Sequence, residues 1–337
     1  MIGYIARRLL MAFFTVWAVT VLTFIIIQLP PGDSVDRELM RMQDLEGVLV
    51  SQVTLDELRA YLGLGQPQYI RYSKWMWNLA HGDLGLSFQY RGGASMSQLP
   101  VRELIQDRLW LTIVLTGFTI IFTWTFALPV GIYSAVRQHS IGDYTFTLLG
   151  FTGLAVPDFL LGLVLMYVAF AYFDQSVGGL FSADYLNAPW SWGRAYDLLS
   201  HLWVPAVVLG THGTAGLIRV MRNNLLDELG KPYVVTARAK GVSPWRLILK
   251  YPVRVAINPL VSTVGYLLPS LISGSVIVSV VLSLPTMGPI LLTAIQAEDV
   301  YLAGFIILML GVLTVVGTLI SDILLAVVDP RIKLGRE

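Results

Sequence analysis

The chain has 337 residues, of which 55% are hydrophobic and only 13% are charged, and its mean hydropathy is +0.67. A soluble domain carries about a quarter charged residues, so this composition excludes an ordinary soluble protein and indicates a membrane protein. The net charge of +1 distinguishes no class of partner, and the absence of cysteine excludes disulfides, thiolate metal sites and a cysteine nucleophile.

Six apolar stretches are long enough to span a bilayer, which requires about 20 mostly apolar residues. The first is not a cleavable signal peptide, because its apolar run is too long and Pro30-Pro31-Gly32 follows it in place of a small-residue cleavage site. The sequence therefore predicts an all-α polytopic membrane protein with six transmembrane helices, at residues 9–29, 109–136, 145–173, 201–222, 255–283 and 301–328.

Residues 30–108, between the first and second spans, are predicted to form a small helical region that is too short for an enzyme domain. Thr54-Leu-Asp-Glu57 has the pattern of a capping box at the start of a helix. A second, aromatic-rich helix is predicted from Gln68 to Ala80, ending at Gly82. A cap packed on the membrane core and a direct role in receiving a partner or substrate both remain open.

The basic residues predict the orientation, because cytoplasmic loops carry an excess of Lys and Arg. With the amino terminus in the cytoplasm, most of the 23 basic residues fall on the inner side, including a dense group between Arg219 and Arg254. Acidic residues are concentrated in residues 30–108, on the outer side. Both termini are therefore predicted to be cytoplasmic and residues 30–108 extracytoplasmic.

Polar residues interrupt the apolar spans. An ionisable group at membrane depth costs about 3 kcal/mol or more and normally faces a cavity or a partner. Asp158, midway along the third span, therefore either lines the pathway or forms a structural bond with a neighbouring helix. Small residues such as those from Gly210 to Gly216 let helices approach closely. The candidate pathway residues are Asp158, Thr211, His212, Ser270, Ser273, Ser275 and Ser279.

A basic segment between the fourth and fifth spans, residues 226–254, contains a sharp break. Helical residues lead into Lys240, and Gly241 stands where a left-handed carboxy-terminal cap is expected. Ser243 is a good amino-terminal cap, and Pro244 suits the first turn of a second helix. The pattern predicts a helix, a tight break and a second helix.

On this second helix, Trp245, Ile248 and Leu249 are predicted to share one face, because residues three and four apart are neighbours on a helix. Positive charge alone would suit a loop lying on anionic lipid. That interpretation does not account for the Gly-x-Ser-Pro break, which favours a docking site for a partner.

The segment from Tyr233 to Gly241, Tyr-Val-Val-Thr-Ala-Arg-Ala-Lys-Gly, resembles the coupling segment of the inner-membrane permeases of ATP-binding-cassette importers, in the form typical of the dipeptide/oligopeptide/nickel family. Other short motifs resemble the same family in the same order, and their order across nearly the whole chain is highly specific. These motifs are Tyr4-Ile-Ala-Arg-Arg-Leu-Leu10, Leu29-Pro-Pro-Gly-Asp33, Leu62-Gly-Leu-Gly-Gln-Pro67, Gly82-Asp-Leu-Gly85, Pro285-x-Met-Gly288 and Asp329-Pro-Arg-Ile332.

The resemblance implies the type I ABC importer permease fold and one of two homologous permease subunits in the inner (plasma) membrane of a prokaryote. The implied partners are a second permease, two ABC ATPase subunits and an extracytoplasmic substrate-binding protein. No cofactor is expected on this chain, which lacks a Gly-x-x-x-x-Gly-Lys-Ser/Thr loop. ATP and Mg²⁺ are expected on the ATPases, so the chain is expected to be a transport subunit and not an enzyme.

The resemblance also implies a division of the chain and a coupling site. The first transmembrane helix is expected at 1–29, the extracytoplasmic region at 30–108, the permease core at 109–330 with the coupling segment at 226–254, and a cytoplasmic tail at 331–337. The residues implied to couple to an ATPase are Thr236, Ala237, Arg238, Ala239, Lys240, Gly241, Ser243, Pro244, Trp245 and Arg246.

The chain departs from the family's pattern in two places. The general permease signature opens Glu-Ala-Ala, and this chain has Val235-Thr236-Ala237, a change common in the peptide branch. The second place lies near the end of span five. Ser279 stands where family members often carry Glu, and Thr286 stands where they often carry Gly. If that Glu handles a peptide amine or a metal cation, this protein lacks it. The remaining hydroxyls and Asp158 suit an oligosaccharide as well as an oligopeptide, so both substrates stay open. A proton-coupled secondary transporter with Asp158 as its relay is the alternative from a different class.

Overall fold

The computed structural model describes residues 2–27, 65–92, 97–173, 175, 178–263, 276–297 and 299–328. These residues are mostly helical, but β1 (Leu86–Gly92) and β2 (Ser97–Pro100) form a two-stranded antiparallel sheet. The all-α prediction is therefore wrong for this hairpin. Apolar and polar residues alternate from Leu86 to Arg91, a period that suits a strand and not a helix.

The described residues include twelve α-helices. The helix predicted from Gln68 to Ala80 is confirmed, whereas Thr54–Glu57 lies outside the described residues. In chain order they are α1 (Ile2–Ile27), α2 (Gln68–Ala80), α3 (Val101–Val136), α4 (Ile141–Ala155), α5 (Asp158–Phe173), α6 (Trp192–Leu229), α7 (Pro232–Ala239), α8 (Pro244–Lys250), α9 (Pro252–Ala256), α10 (Val276–Val281), α11 (Met287–Gln296) and α12 (Val300–Val328).

Within the described residues, three helices are long and apolar enough to cross a membrane, at Val101–Val136, Trp192–Leu229 and Tyr301–Leu325. The apolar part of α1, Leu10–Ile25, is shorter. The predicted fifth span, 255–283, includes residues 264–275, which are not described. Six transmembrane helices therefore remain a prediction.

The predicted third span, 145–173, is not one continuous helix. It is the pair α4 and α5, which are bent by 105° and would make a fourth crossing if counted together. Val156, between them, has an extended backbone with φ −80° and ψ 125°. The cause is Pro157, because a proline disfavours the helical conformation of the residue before it. Asp158 is thus the first residue of a new helix.

The chain divides into two compact units, one formed by Met1–Leu9, Trp110–Pro289 and Leu313–Glu337, the other by Leu10–Leu109 and Ile290–Val312. In the second unit, Thr20 shares a hydrogen bond of 2.7 Å with the hydroxyl of Tyr72. Ser87 Oγ donates to Asp299 Oδ2 at 2.6 Å, and the amide of Leu302 donates to Asp299 Oδ1 at 3.1 Å. The buried Asp299 therefore joins β1 to the first turn of α12.

In the first unit, α3 and α6 pack closely at glycines. A Cβ atom on Gly210 would lie 2.8 Å from Phe122 Cδ1, so this position accepts no side chain without movement. The prediction that small residues let these helices approach is confirmed here. Toward the end of α6, Leu217, Met221 and Leu225 are buried against apolar residues of α3 and against Leu260.

Candidate coupling surface and pathway residues

The break predicted between two short helices is confirmed. Gly241 has a φ of +78°, a left-handed conformation that glycine adopts without steric cost. Its amide donates to the carbonyl of Arg238 at 3.0 Å, closing the end of α7. α8 then begins at Pro244, and Ser243 occupies the cap position without a side-chain capping hydrogen bond.

The inner face of the α7–α8 hairpin is apolar and buried. Val234, Ala237, Leu247 and Ile248 form one cluster, and Ile132 of α3 packs against it. Ile248 is only 9% exposed, so the prediction that it shares a face with Trp245 and Leu249 is wrong. The cluster turns Leu247 and Ile248 inward, and this anchors α8 on the rest of the unit.

The outer face of α8 is a mixed apolar and cationic surface, which we call the α8 surface: Trp245, Arg246, Leu249 and Lys250. Trp245 is 69% exposed and Leu249 is 55% exposed, four residues apart on the helix. Trp and Arg are the residues most enriched at the energetic centres of protein interfaces. Of the other predicted coupling residues, Ala237 is buried, and the rest are exposed: Thr236, Arg238, Ala239, Lys240, Gly241, Ser243 and Pro244.

Three of the candidate pathway residues lie on α5 and α6. Asp158 is partly buried and close enough to the exposed His212 for an electrostatic interaction. The hydroxyl of Thr211 donates to the carbonyl of Val207 at 2.5 Å, and its Cγ2 faces Gly153 of α4. The structure thus brings these residues together beside the bend between α4 and α5.

The predicted serines have different surroundings. Ser279 is fully buried, and its Oγ accepts a hydrogen bond of 3.0 Å from Thr286 Oγ1. Ser270, Ser273 and Ser275 lie outside the described residues.

Sequence reasoning missed a partly buried ion pair between α4 and α6, in which Asp143 is buried and Arg222 is partly exposed. Arg222 Nε lies 2.9 Å from Asp143 Oδ1, and Arg222 Nη2 lies 2.9 Å from Asp143 Oδ2. The available signal was Ser140-Ile-Gly-Asp143 at the edge of an apolar span, since Ser140 Oγ caps the helix by accepting from the amide of Asp143. That signal predicts the helix start but not the arginine that binds there.

A small, partly open cavity of about 20 Å³ also lies in the first unit, where apolar residues of α5 and α6 meet Gln175 and His201. Trp203 Nε1 donates to Gln175 Oε1 at 3.0 Å, and Gln175 Nε2 donates to the carbonyl of Ser200 at 2.9 Å. The amide of Gln175 is therefore used within the chain, which favours a structural role for this group.

These features describe a helical chain with candidate membrane spans and an exposed α8 surface, and comparison with known proteins gives its family. Residues 127–334 match the family described as binding-protein-dependent transport system inner membrane component. The oligopeptide transport system permease protein AppB of Bacillus subtilis (strain 168) is 36% identical over 333 residues, which cover 99% of this chain and 100% of that protein. The chain belongs to this family and is a multi-pass ABC transporter permease.

Other similar proteins are also transport permeases by name, and one solved structure shares the fold. The dipeptide transport system permease protein DppB of Escherichia coli (strain K12) is 31% identical over 349 residues, covering 99% of each chain. A putative peptide permease protein of Brucella ovis is 32% identical over 336 residues, covering 99% of this chain and 100% of that protein. A solved structure titled for inward-facing conformations of the MetNI methionine ABC transporter matches with a TM-score of 0.52 and 19% identity, over 67% of this chain and 97% of that one. It supports the type I ABC importer permease fold.

Proposed function

We propose that this chain is one of two permease subunits of an ATP-driven importer that carries oligopeptides across the inner membrane of a prokaryote. An extracytoplasmic binding protein delivers the peptide, and two ATPase subunits, which bind ATP and Mg²⁺, drive the transport cycle. The observation that carries this proposal is the exposed α8 surface on a helix that is otherwise anchored by buried residues, in a chain of this permease family.

The coupling role follows from the two faces of α8. Trp245 and its cationic neighbours are available to a partner, whereas Leu247 and Ile248 join α8 to α7 and to Ile132 of α3. A displacement of the α8 surface is therefore transmitted to the body of the permease instead of being absorbed by a loose loop. An ATPase subunit is the partner that suits this position, with residues 236–246 forming the contact.

In the proposed arrangement, both termini are cytoplasmic, residues 30–108 are extracytoplasmic, and six spans cross the membrane. The translocation pathway includes Asp158, Thr211 and His212, together with Ser270, Ser273 and Ser275. A carboxylate and an imidazole at membrane depth face water or a partner more readily than lipid, which supports a pathway position for Asp158 and His212.

Oligopeptides are favoured over oligosaccharides as the substrate. The hydroxyl of Ser279, part of the hydroxyl-rich set that suited a sugar, is buried and bonded to Thr286. The relatives that align over almost the whole chain carry the names of oligopeptide and dipeptide permeases. Asp158 provides a negative charge that suits the ammonium group of a peptide.

The test is reconstitution of the chain with its second permease, both ATPases and the binding protein in proteoliposomes. We expect ATP-dependent uptake of a radiolabelled tripeptide, and no ATP-dependent uptake of maltotriose. The Trp245→Ala variant should assemble but lose most of its uptake, while Trp192→Ala, which alters a Trp that is 93% exposed elsewhere, should retain it.

Three outcomes would contradict parts of this proposal. Uptake of maltotriose in place of the tripeptide would assign an oligosaccharide substrate. Uptake by the lone chain, driven by a proton gradient without ATPases, would identify a secondary transporter. Unchanged uptake in Trp245→Ala would remove the α8 surface from the coupling mechanism.

A further inference from the structure

The ion pair between Asp143 and Arg222 uses both oxygens of a buried carboxylate. Asp143 is only 1% exposed, and Arg222 binds it in the two-point geometry given above. Asp143 Oδ2 also accepts a hydrogen bond of 3.0 Å from the amide of His139, which has a φ of +64°. The carboxylate thus joins three pieces of chain: the turn after α3, the first turn of α4, and α6.

Stability alone is a weak explanation for such a pair, because apolar residues of similar volume often replace a buried ion pair without loss. Its two parallel hydrogen bonds instead restrict the relative orientation of the two side chains, since a guanidinium and a carboxylate are both planar. What the pair provides is a directional connection between α4 and α6.

Much of the remaining contact between α4 and α6 is made by small residues, and Arg219 of α6 also stacks on Phe151 of α4. A Cβ atom on Gly150 would lie 3.7 Å from Ala215 Cβ, and Gly153 faces the Cγ2 methyl of Thr211. Small residues of this kind let two helices approach closely, and they provide few interlocking side chains to oppose sliding. The ion pair therefore adds a directional two-point connection to a contact that small side chains make with little interlocking.

The position of Arg222 connects this contact to the coupling segment. It lies near the end of α6, where Met221 and Leu225 pack with Ala135 of α3, and Ile132 of α3 packs in turn against the cluster beneath α8. The ends of α3 and α6 and the α7–α8 hairpin therefore form one packed body, and the ion pair adds α4 to it.

We propose that Asp143 and Arg222 are positioning residues that make α4 move with the coupling segment. A displacement of α8 then reaches the 105° bend between α4 and α5, beside which Asp158 lies. Without the pair, α6 would slide along α4, and the displacement would be lost before it reached the pathway. This inference rests on the proposed coupling function.

The first experiment measures coupling in the complete reconstituted complex. Arg222→Lys keeps the positive charge but removes the two-point geometry, and Asp143→Asn keeps the shape of the carboxylate without its charge. In both variants we expect the ATP hydrolysed per tripeptide imported to rise by about fivefold or more, the lower end of typical coupling between sites. Arg219→Lys is the matched control: Arg219 lies on the same helix, is exposed and stacks on Phe151 of α4 at 4.8 Å. A lysine keeps a cation over that ring, so this ratio should stay at the parental value.

The second experiment measures movement and needs no substrate. The chain has no cysteine, so spin labels can be placed at Leu148→Cys on α4 and Val220→Cys on α6, both exposed positions. In the parent complex, the distance between the labels should be the same without nucleotide and after trapping with ATP and vanadate. In the Arg222→Lys background, the distance should differ between the two states.

Two results would overturn the inference. One is a ratio of ATP to peptide in Arg222→Lys and Asp143→Asn equal to that of the parent, which would leave the pair a purely structural role. The other is a distance in the parent complex that already changes between the two states. Failure of the coupling function itself is distinguishable, because the parent complex would then show no ATP-driven uptake.

Discussion

The hydroxyl of Thr286 donates a hydrogen bond of 3.0 Å to the hydroxyl of Ser279, and both side chains are buried. These are two of the positions at which the sequence was expected, from the resemblance, to differ from the family's pattern. They meet because the amide of Leu284 donates to the carbonyl of Ser279 at 2.7 Å and Ser283 adopts a φ of +52°, which forms a tight turn after α10. Ser279 and Thr286 therefore form one structural unit.

The Ser279 and Thr286 pair is expected to be energetically coupled. Ser279→Ala should lower the free energy of unfolding by about 1–3 kcal/mol, because it leaves the buried hydroxyl of Thr286 without its acceptor. Adding Thr286→Val should recover most of this loss, since both polar groups are then removed. Denaturant unfolding of the detergent-solubilised chain measures all four members of the cycle, and simple additivity of the two single losses would contradict the expectation.

Gly131 is expected to tolerate no side chain. A Cβ atom there would lie 2.7 Å from Met221 Cβ and 3.1 Å from the carbonyl oxygen of Ile218, and overpacking of this kind costs about 1–3 kcal/mol. Gly131→Ala should therefore lower the melting temperature. Gly117, on the same helix, has no atom within 4 Å of a built Cβ, so Gly117→Ala should leave the melting temperature unchanged or raise it. Equal effects of the two variants would argue against close packing at Gly131.

The left-handed backbone conformation of Gly241 is expected to be required for coupling. Its φ of +78° makes any L-residue strained, with a cost of roughly 1–2 kcal/mol, although a Cβ atom would meet nothing within 4 Å. Gly241→Ala should therefore reduce ATP-driven uptake by reorienting α8, without a steric clash. Gly230→Ala is the control, because Gly230 is equally open but has a φ of −84°. If both variants import at the parental rate, the left-handed turn is not required.

The pathway position of Asp158 is testable by chemical labelling. Thiol reagents react with the thiolate, which forms only where water is present. Asp158→Cys should react with a membrane-impermeant thiol reagent in at least one nucleotide state, while Leu160→Cys, an exposed apolar position on the same helix, should stay unlabelled. Absence of labelling of Asp158→Cys in every state would assign Asp158 a structural role.

The sequence by itself determined the features that depend on neighbouring residues. Gly241 predicted a left-handed turn and Pro244 predicted the start of α8, because backbone preferences act within a few residues. Pro157 carried a comparable local signal, and the 105° bend follows from it even though the apolar composition favoured one continuous span. Apolar composition shows that a segment is excluded from water, but it does not determine where the helix bends within the bilayer.

Only the tertiary structure decided which side chains meet. Asp143 and Arg222 are 79 residues apart in the chain, and no local pattern relates a carboxylate at one helix start to an arginine near another helix end. The inward orientation of Ile248 was likewise decided by Val234 and Ile132. Helical spacing predicts which residues of one helix share a face, but the choice of the buried face belongs to the elements that pack against it. For that reason the sequence determined where the coupling segment lies, and the structure decided which of its residues remain available to a partner.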